Sequence, residues 1–425
     1  MVYNVSSNLM GYENKQDVLA ASKRAWNPDK TEFWEKIGVP MVIGERSGYI
    51  LEDLDGSRFI DVHLNGGTYN LGHRHPELVQ VLSEALMSTD IGNHHFASPA
   101  RAALAERLLD TVEGGSKVAF TTSGSEAIDL AIKSARYATG REVIVSVENA
   151  YHGHTGLALN TGADRFARLF HSAYPHAFRK VPFNDIEAMR TVLESGDVAA
   201  VLMETIPATY GFPMPDAGYL PAVRALAEQA GALYIADEVQ TGLMRTGTLW
   251  AIEQYGVTPD ILVTSKGLGG GVFPIAATVL DERSAGWLSE DGFAHMSTFG
   301  GSELGCIVAL KVLELTTDAR TIENVRARTA QFAMGLEEIR VAHPEWFVEI
   351  RQSGLVMGLR FAAPEGAKDV MVALHQRGVW AIFSTLDPRV LQFKPGLLVS
   401  EAEVEQILDA LAAAVAATAP AGHAS

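Results

Sequence analysis

The sequence predicts an α/β protein with a large, mostly parallel sheet flanked by helices, followed by a smaller α+β unit. Three observations support this. Behind Pro76, apolar residues from Leu78 to Leu86 recur at i, i+3, i+4, i+7 and i+8, which is typical of an amphipathic helix. From there to about residue 263, short apolar runs alternate with helical stretches. Past residue 302 two long helical patterns are followed by short strand patterns.

Apolar and β-branched runs mark the predicted strands. Five are expected to be buried in the large sheet: 118–120, 143–147, 198–203, 233–236 and 261–263. The helices predicted around them include 101–112 and 221–230, the second with Pro221 at its first position and Gly231 just past its end. Strand, helix and strand in succession imply parallel pairing with right-handed crossovers. In the later unit we expect strands at 355–361, 380–383 and 390–393, and a helix around 370–374.

The domain organisation follows from these elements, because the chain has neither a fixed-period repeat nor a Pro/Ser-rich linker. We expect an N-terminal segment, residues 1–70, that joins the small domain and contributes dimer contacts. A large domain would span 71–310, and a C-terminal small domain 311–425. Since a helix is predicted across the boundary near residues 302–315, the two domains should be joined rigidly.

Composition excludes several classes of protein. The 425 residues are 47% hydrophobic and 20% charged, as in a folded globular chain. The 34 Lys and Arg against 51 Asp and Glu give a net charge of −17 without a basic run, which argues against nucleic acid or anionic lipid as partners. The most apolar long stretch, residues 411–417, is shorter than the roughly 20 residues that span a membrane.

The expected location is cytoplasmic. A single cysteine, Cys306, permits no internal disulfide and no thiolate metal cluster. Residues 1–7 lack the basic start and apolar core of a signal peptide.

Polar side chains follow each predicted strand of the large sheet. In such sheets ligands bind at the carboxyl ends of the strands, so these residues should share one crevice. They are Ser123, Gly124 and Ser125 after the first strand, Tyr151 and His152 after the second, Glu204 after the third, Asp237, Val239 and Gln240 after the fourth, and Lys266 after the fifth.

Three of these features together predict a pyridoxal phosphate site. Lys266 has the appearance of a solvated loop lysine, but an amine in a desolvated crevice can attack a carbonyl to form a Schiff base. Asp237 ends an apolar strand and needs a partner, such as a basic ring nitrogen. Ser123-Gly124-Ser125 is either an ordinary helix cap or a phosphate-binding helix start. Pyridoxal phosphate requires all three: the lysine, the acid and the phosphate cup.

Other cofactors fit less well. The glycines after Lys266 lack the final glycine of a dinucleotide fingerprint, since position 272 is Val272. Histidines offer a competing metal interpretation, although no carboxylate or cysteine completes a recognisable ligand spacing, and we predict no metal. These histidines are His73, His75, His94, His95, His152 and His154.

At these residues the chain resembles the class III, or ω-, aminotransferases, which are pyridoxal-phosphate enzymes of fold type I. The resemblance extends from about Gly48 to Val404. Its strongest segment contains Ile235-Ala236-Asp237-Glu238-Val239-Gln240-Thr241-Gly242, then Arg245-Thr246-Gly247 and Ser265-Lys266-Gly267. The spacing of 29 residues between Asp237 and Lys266 matches the family pattern.

The resemblance implies a role for each residue of the crevice. Lys266 would hold the cofactor as a Schiff base and move the proton, while Asp237 would keep the pyridine nitrogen protonated. The other cofactor-binding residues would be Ser123, Gly124 and Ser125 at the phosphate, Val239 and Tyr151 on the ring faces, Gln240 at the phenolic oxygen, and His152 and Glu204 beside them.

The resemblance also implies a shared site. Thr298 would complete the phosphate site of the neighbouring subunit, which makes the protein a homodimer, with pairing of dimers into a tetramer left open. The expected reaction is ping-pong transamination between a small-molecule amine donor and an oxo acceptor.

Two departures from the family bear on the substrate. Members that act on amino acids commonly carry an arginine where this chain has Gln392, and an acidic partner where it has Thr209. Because Gln392 and Thr209 are both neutral, we do not expect them to bind a substrate carboxylate strongly. We therefore expect a donor whose reacting carbon bears no carboxylate: a primary amine, a diamine end or an amino sugar.

Two other functions remain open. An aminomutase, epimerase or decarboxylase of the same fold would use the same lysine and aspartate. A non-catalytic scaffold homologue is the alternative from another class, but it has no need to retain both residues.

Overall fold

The computed structural model describes residues 11, 12 and 14–420; the prediction made from residues 1–7 lies outside this part. The α-helices are Lys15–Ala25, Pro28–Lys36, Pro76–Leu86, Pro99–Leu109, Gly124–Thr139, Asp164–Leu169, Ile186–Leu193, Tyr219–Gln229, Trp287–Glu290, Glu303–Thr316, Ala319–Ala342, Gly366–His375 and Glu401–Thr418. Shorter helical turns are Leu64–Gly67, Ala158–Asn160, Ala251–Tyr255 and Lys266–Gly269. No helix in the described part is long and apolar enough to cross a membrane.

The described strands form three sheets. The strands are β1 Ile43–Ser47, β2 Ile50–Asp53, β3 Arg58–Asp61, β4 Lys117–Thr121, β5 Val143–Val147, β6 Phe178–Val181, β7 Val198–Glu204, β8 Leu233–Asp237, β9 Ile261–Thr264, β10 Ala276–Leu280, β11 Phe347–Ser353, β12 Val356–Phe361, β13 Val379–Trp380, β14 Ile382–Ser384 and β15 Asp387–Phe393.

The largest sheet has seven strands in the order β4-β10-β9-β8-β7-β5-β6. All five predicted strands are present, and four of them are one or two residues longer than predicted. The β6–β5, β5–β7, β7–β8 and β8–β9 pairs are parallel, whereas β10 is antiparallel to both of its neighbours. Two strands of this sheet were not predicted: β10, whose alanines and threonine dilute its apolar run, and β6, whose centre is Arg179-Lys180.

Both faces of this sheet are buried. Along β8, Leu233 and Ile235 belong to one hydrophobic cluster, while Tyr234 and Ala236 belong to another on the opposite face. This alternation follows from the two-residue period of a strand and explains why the sheet strands have continuous apolar sequences.

Two predicted helix starts, at residues 101 and 221, are each two residues too late, since the helices begin at Pro99 and Tyr219, and the first helix ends at Leu109 rather than at residue 112. The helix Tyr219–Gln229 begins before Pro221, which therefore occupies the third helical position and not the first. Proline is tolerated there because the first backbone N–H groups of a helix have no partner within it. The prediction for the other end is confirmed, since Gly231 follows the helix with φ +69°.

Of the two smaller sheets, one combines strands from both ends of the chain and the other is made of C-terminal strands. One has the order β1-β2-β3-β13 and the other β11-β12-β15-β14. In the first, Val379 of β13 pairs in parallel with Ile60 of β3, so an early and a late segment share one sheet. The predicted strand 380–383 is two strands, β13 and β14, and β11 was not predicted. The domain boundaries at residues 70 and 310 stay a prediction.

Candidate active site

A cavity of about 220 Å³ lies at the carboxyl ends of the large sheet. Strands β4, β5, β7, β8 and β9 each lead into it, which is where a parallel sheet places its ligand site. Its lining residues are Ser123, Gly124, Ser125, Tyr151, His152, Gly153, His154, Glu204, Asp237, Val239, Gln240 and Lys266. Ten of these were predicted from the sequence; Gly153 and His154 were not.

Lys266 lies two residues after the end of β9, at the start of a short helical turn. Its side chain is largely buried, and this burial lowers the pKa of the Lys266 amine, although Asp237 and Glu204 oppose the shift. Its φ of +46° is in the left-handed region that L residues rarely adopt. Strained backbone of this kind is concentrated at functional sites. The result is an amine that loses its proton more readily than a solvated lysine.

A left-handed turn packs against this lysine. Four consecutive residues, Leu64–Gly67, have positive φ values of 52°, 49°, 73° and 95°. A Cβ at Gly66 would lie 3.3 Å from Lys266 Cε and 3.5 Å from the Gln240 side-chain oxygen. Backbone therefore approaches the lysine closely here and forms a wall of the site. This wall was not predicted, although the pair Gly66-Gly67 signals it.

Asp237, the last residue of β8, is buried, and each of its two carboxylate oxygens has a hydrogen-bond partner. Its Oδ2 lies 2.7 Å from His152 Nδ1, and its Oδ1 accepts a hydrogen bond from the Val239 N–H at 3.0 Å. His152 Nε2 is buried and has no hydrogen-bond partner among the described residues. The two contacts fix the direction of the carboxylate at the cavity wall.

Glu204 lies beside Asp237 in the sheet, one strand along. Its two oxygens accept hydrogen bonds from the backbone N–H groups of Tyr151 and Ala208, both at 3.0 Å. Burial is the largest cause that raises the pKa of Glu204. Glu204 thus anchors the loop that carries Tyr151 into the cavity.

The helix Gly124–Thr139 points its first turn into the cavity. Ser123 is its N-cap and accepts from the Glu126 N–H at 3.3 Å, so the interpretation as an ordinary cap is right as far as it goes. The backbone N–H groups of Gly124 and Ser125 have no partner among the described residues. A Cβ at Gly124 would lie 3.2 Å from both methyl groups of Val239, so only glycine leaves this space open.

Three predicted residues do not line the cavity. Thr298 is exposed on a surface segment. Thr209 is half-buried in the loop after β7, and Gln392 is buried near the end of β15. Gln392 instead accepts a hydrogen bond at 2.6 Å from the amine of Lys394, a buried residue that the sequence analysis did not single out. A lysine directly after the apolar run 390–393 was the available signal.

Comparison with known proteins assigns the chain to a family. The model of the family "Aminotransferase class-III" matches residues 35–415. The chain is a class III aminotransferase. An uncharacterized aminotransferase of Archaeoglobus fulgidus is 43% identical to it over 406 residues, covering 95% of each chain. A putrescine aminotransferase of Pectobacterium atrosepticum is 32% identical, over 92% of this chain and 87% of that one.

Solved structures agree with the fold. The ornithine aminotransferase of Toxoplasma gondii, a structure with partial occupancy of pyridoxal phosphate (PLP) at its active site, has a TM-score of 0.89 and 25% identity. The alignment covers 98% of this chain and 99% of that one. The predicted fold type I is therefore confirmed, and class III aminotransferases depend on PLP.

Three of the histidines considered as metal ligands contact other side chains of this aminotransferase. His73 Nε2 lies 2.9 Å from Asp61 Oδ2, and the rings of His94 and His95 face each other at 4.0 Å. Within residues 11–12 and 14–420, no three His, Cys, Asp or Glu side chains form a group that could hold a metal ion.

Glu238 lies between Asp237 and Val239, which both line the cavity. Its own side chain faces away from the cavity and is surrounded by polar groups of the aminotransferase. Its carboxylate accepts from the hydroxyls of Thr205 and Thr241 at 2.5 and 2.8 Å. The backbone N–H groups of Ala251 and Ile252 donate to it at 3.0 and 2.9 Å. Burial nevertheless raises the pKa of Glu238 from 4.5 to about 7.

This shift predicts a pH-dependent stability. Folded Glu238 holds its proton more tightly than in the unfolded chain, so its contribution to stability falls as pH rises from about 4.5 to about 7. Glu238→Gln removes the titration. The measured quantity is the difference in unfolding free energy between wild type and variant, obtained from urea unfolding. We expect this difference to decrease by roughly 2–3 kcal/mol between pH 5 and pH 8.

Glu338→Gln, at an exposed position on the helix Ala319–Ala342, is the matched control and should give a flat difference. A difference for Glu238 that grows with pH would contradict the prediction. It would show that the four donors outweigh burial.

Proposed function

We propose that this aminotransferase holds PLP in the 220 Å³ cavity and moves an amino group from a primary amine to an oxo acceptor in two half-reactions. One observation carries the proposal: the Lys266 amine, the Asp237 carboxylate and the free N–H groups of Gly124 and Ser125 line the same cavity. These are the three groups that PLP chemistry requires of a protein.

The residues present fit the cofactor. The open space at Gly124 and the two unpaired N–H groups at a helix start suit a phosphate. Asp237 suits the ring nitrogen, because its carboxylate is buried and its direction is fixed by His152. Gln240 would bind the phenolic oxygen. When bound, PLP supplies an electron-withdrawing ring that weakens bonds to the reacting carbon.

Two further residues would enclose the ring. Val239 and Tyr151 both line the cavity and would lie on the two ring faces. Glu204 supports this arrangement indirectly, since it binds the backbone N–H of Tyr151.

Lys266 Nζ would move the proton of the reaction. Its burial lowers the pKa of the amine, which brings it toward the range in which a group both accepts and returns a proton near neutral pH. The close approach of Gly66 to Lys266 Cε limits where the amine swings, and the largely buried position excludes bulk water.

We also propose a homodimer with Thr298 reaching the partner's phosphate site, and leave pairing into tetramers open. A surface groove of about 610 Å³ lies beside the Thr298 segment. Phe96, Phe293 and Met296 line it and are each more than half exposed. Apolar patches of this kind mark protein–protein contacts. The single buried Cys306 agrees with a cytoplasmic location.

The proposed donor bears no carboxylate on its reacting carbon. Both positions that would form a carboxylate clamp, Gln392 and Thr209, are neutral. The similarity to a putrescine aminotransferase supports a diamine or another primary amine.

A substrate panel tests this proposal. The holoenzyme is mixed with putrescine, a monoamine, an ω-amino acid, an amino sugar and the α-amino acid glutamate, and pyruvate is then added as acceptor. We expect loss of the visible absorbance of the lysine-bound cofactor with the amines, and equimolar alanine after pyruvate. The kcat/KM for the best amine should exceed that of α-amino acids about 10-fold or more, as expected when one charged contact is missing.

Other outcomes would identify the rival functions. Rearranged or epimerised substrate without transfer to pyruvate would indicate an aminomutase or epimerase, and released carbon dioxide a decarboxylase. Absence of any absorbance change would indicate a non-catalytic scaffold. An α-amino acid that is by far the best donor would contradict the proposed donor class alone.

A further inference from the structure

A buried lysine lies directly behind Gln240, one of the residues that line the cavity. Lys394 follows the last residue of β15, and its backbone N–H donates to the Val62 carbonyl at 2.6 Å. The residue is 1% exposed, and its amine lies 5.4 Å from the centre of the buried Phe212 ring. Packing therefore holds this side chain in place from its backbone to its amine.

Two glutamine side chains accept hydrogen bonds from this amine. It donates to Gln392 Oε1 at 2.6 Å and to Gln240 Oε1 at 3.4 Å, and these are its hydrogen-bond partners among the described residues. Of the two glutamines, Gln240 is the one that lines the cavity. Lys394 is thus connected to the cavity through a single side-chain amide.

The amide of Gln240 lies beside the reactive lysine. A Cβ placed at Gly66 would be 3.5 Å from Gln240 Oε1 and 3.3 Å from Lys266 Cε. In PLP the aldehyde and the phenolic oxygen are on neighbouring ring carbons. A cofactor held by the Lys266 amine therefore brings its phenolic oxygen to the side of the cavity where Gln240 lies.

A glutamine amide has two unlike ends. Its oxygen accepts hydrogen bonds and its NH₂ group donates them, so the end that faces a ligand decides which ligand atom it binds. The Gln240 oxygen is the end that Lys394 contacts. The NH₂ group has no partner among residues 11–12 and 14–420, so it remains available for an acceptor atom in the cavity.

The contact does not require a charged lysine. Burial is the largest cause that lowers the pKa of Lys394 well below its usual range, and Lys266 and Arg245 add to the effect. Asp61 and Glu204 oppose it, but both carboxylates are hydrogen-bonded to other groups. A neutral amine still has two N–H bonds, one for each glutamine oxygen. The amine is thus able to hold both oxygens without carrying a charge.

We propose that Lys394 is a positioning residue, which holds the oxygen of Gln240 so that the Gln240 NH₂ group donates to the phenolic oxygen of PLP. This inference rests on the proposed function, which places Gln240 at that oxygen. A donor at this place stabilises the anionic form of the oxygen, so the lysine-bound cofactor loses the proton that it shares with the Lys266 nitrogen at a lower pH. Without Lys394, the amide is free to turn and to present its own oxygen instead.

The experiment titrates the visible absorbance of the holoenzyme with pH. Gln240→Ala removes the donor and should raise the midpoint of this titration by about 1–2 units, as expected for one lost hydrogen bond to a charged oxygen. Lys394→Met keeps the length and apolar packing of the side chain, and should raise the midpoint by about 0.5 unit or more. Lys36→Met, at an exposed position, is the control and should keep the wild-type midpoint.

The double variant separates orientation of the amide from any other effect of the lysine. In the Gln240→Ala background no amide is left to orient, so adding Lys394→Met should move the midpoint by less than about 0.3 unit. A shift as large as in the wild-type background would show that Lys394 acts directly on the cofactor or through the fold, and would overturn the proposal.

A neutron structure of the wild-type holoenzyme needs no variant, and decides the question if Lys394→Met does not fold. Deuterium on nitrogen distinguishes the two ends of an amide. We expect the Gln240 oxygen toward Lys394 and its ND₂ group toward the phenolic oxygen. The opposite orientation would overturn the role of Lys394.

The outcomes separate this inference from the proposed function. A wild type that shows no visible absorbance of a lysine-bound cofactor contradicts the proposed function itself. A Gln240→Ala midpoint equal to that of the wild type contradicts the place proposed for Gln240. A shift in Gln240→Ala with less than about 0.5 unit in Lys394→Met contradicts the role of Lys394 alone.

Discussion

Lys266→Ala should abolish both the visible absorbance of the lysine-bound cofactor and nearly all turnover. The variant removes the amine that would bind PLP and move the proton, and no other amine lines the cavity among its described residues. A positioned acid or base contributes about 10²–10⁴-fold, so we expect turnover to fall by at least about 10³-fold. Absorbance spectra of the purified protein, with and without borohydride, and a steady-state transfer assay provide the two measurements.

The control is Lys36→Ala, an exposed lysine at the end of the helix Pro28–Lys36. Circular dichroism of both variants checks that the fold is retained. Retention of either the borohydride-sensitive absorbance or substantial turnover in Lys266→Ala would contradict the proposed role of this lysine in binding PLP and moving the proton.

Asp237→Asn should retain the absorbance but lose most of the turnover. The substitution keeps the shape of the side chain and removes its negative charge, so the ring nitrogen loses the group proposed to keep it protonated. Loss of one preorganised electrostatic contact at an active site costs about 10²–10³-fold in kcat, and we expect a loss of this size. The half-reaction with the best amine donor, followed by stopped-flow absorbance, measures it.

The contrast with Lys266→Ala separates the two roles, because only the lysine variant should lose the absorbance. Asp409→Asn, on the C-terminal helix Glu401–Thr418, serves as a control for loss of one negative charge. Turnover of Asp237→Asn within about threefold of the wild type would show that Asp237 does not act on the ring nitrogen.

The cavity was predictable from the sequence because its residues follow directly after apolar strands. Glu204, Asp237 and Lys266 each stand at or just beyond the end of a run whose two faces are buried, and parallel strands bring such ends together. Strand β10 escaped prediction because its pairing is antiparallel and its alanines have little strand preference. Its place is determined by the strands on either side.

Lys394 escaped prediction for a different reason. A lysine after a strand is ordinarily solvated, and its burial here depends on contacts from distant parts of the chain. Val62 binds its backbone, and Gln240 and Gln392 face its amine. The turn at Gly66 was missed for the same reason, since its proximity to Lys266 exists only in the folded protein.

The pairing of β3 with β13 means that the first small sheet is completed only late in the synthesis of this enzyme. Ile60 of β3 pairs with Val379 of β13, which lies more than 300 residues later in the chain. Synthesis of these residues takes roughly 15–60 s on a ribosome. Until then the edge of β3 is unpaired, and the turn at Gly66 that follows it has no finished sheet to hold it against Lys266. The nascent chain thus contains both this turn and Lys266 before the sheet that holds the turn in place is complete.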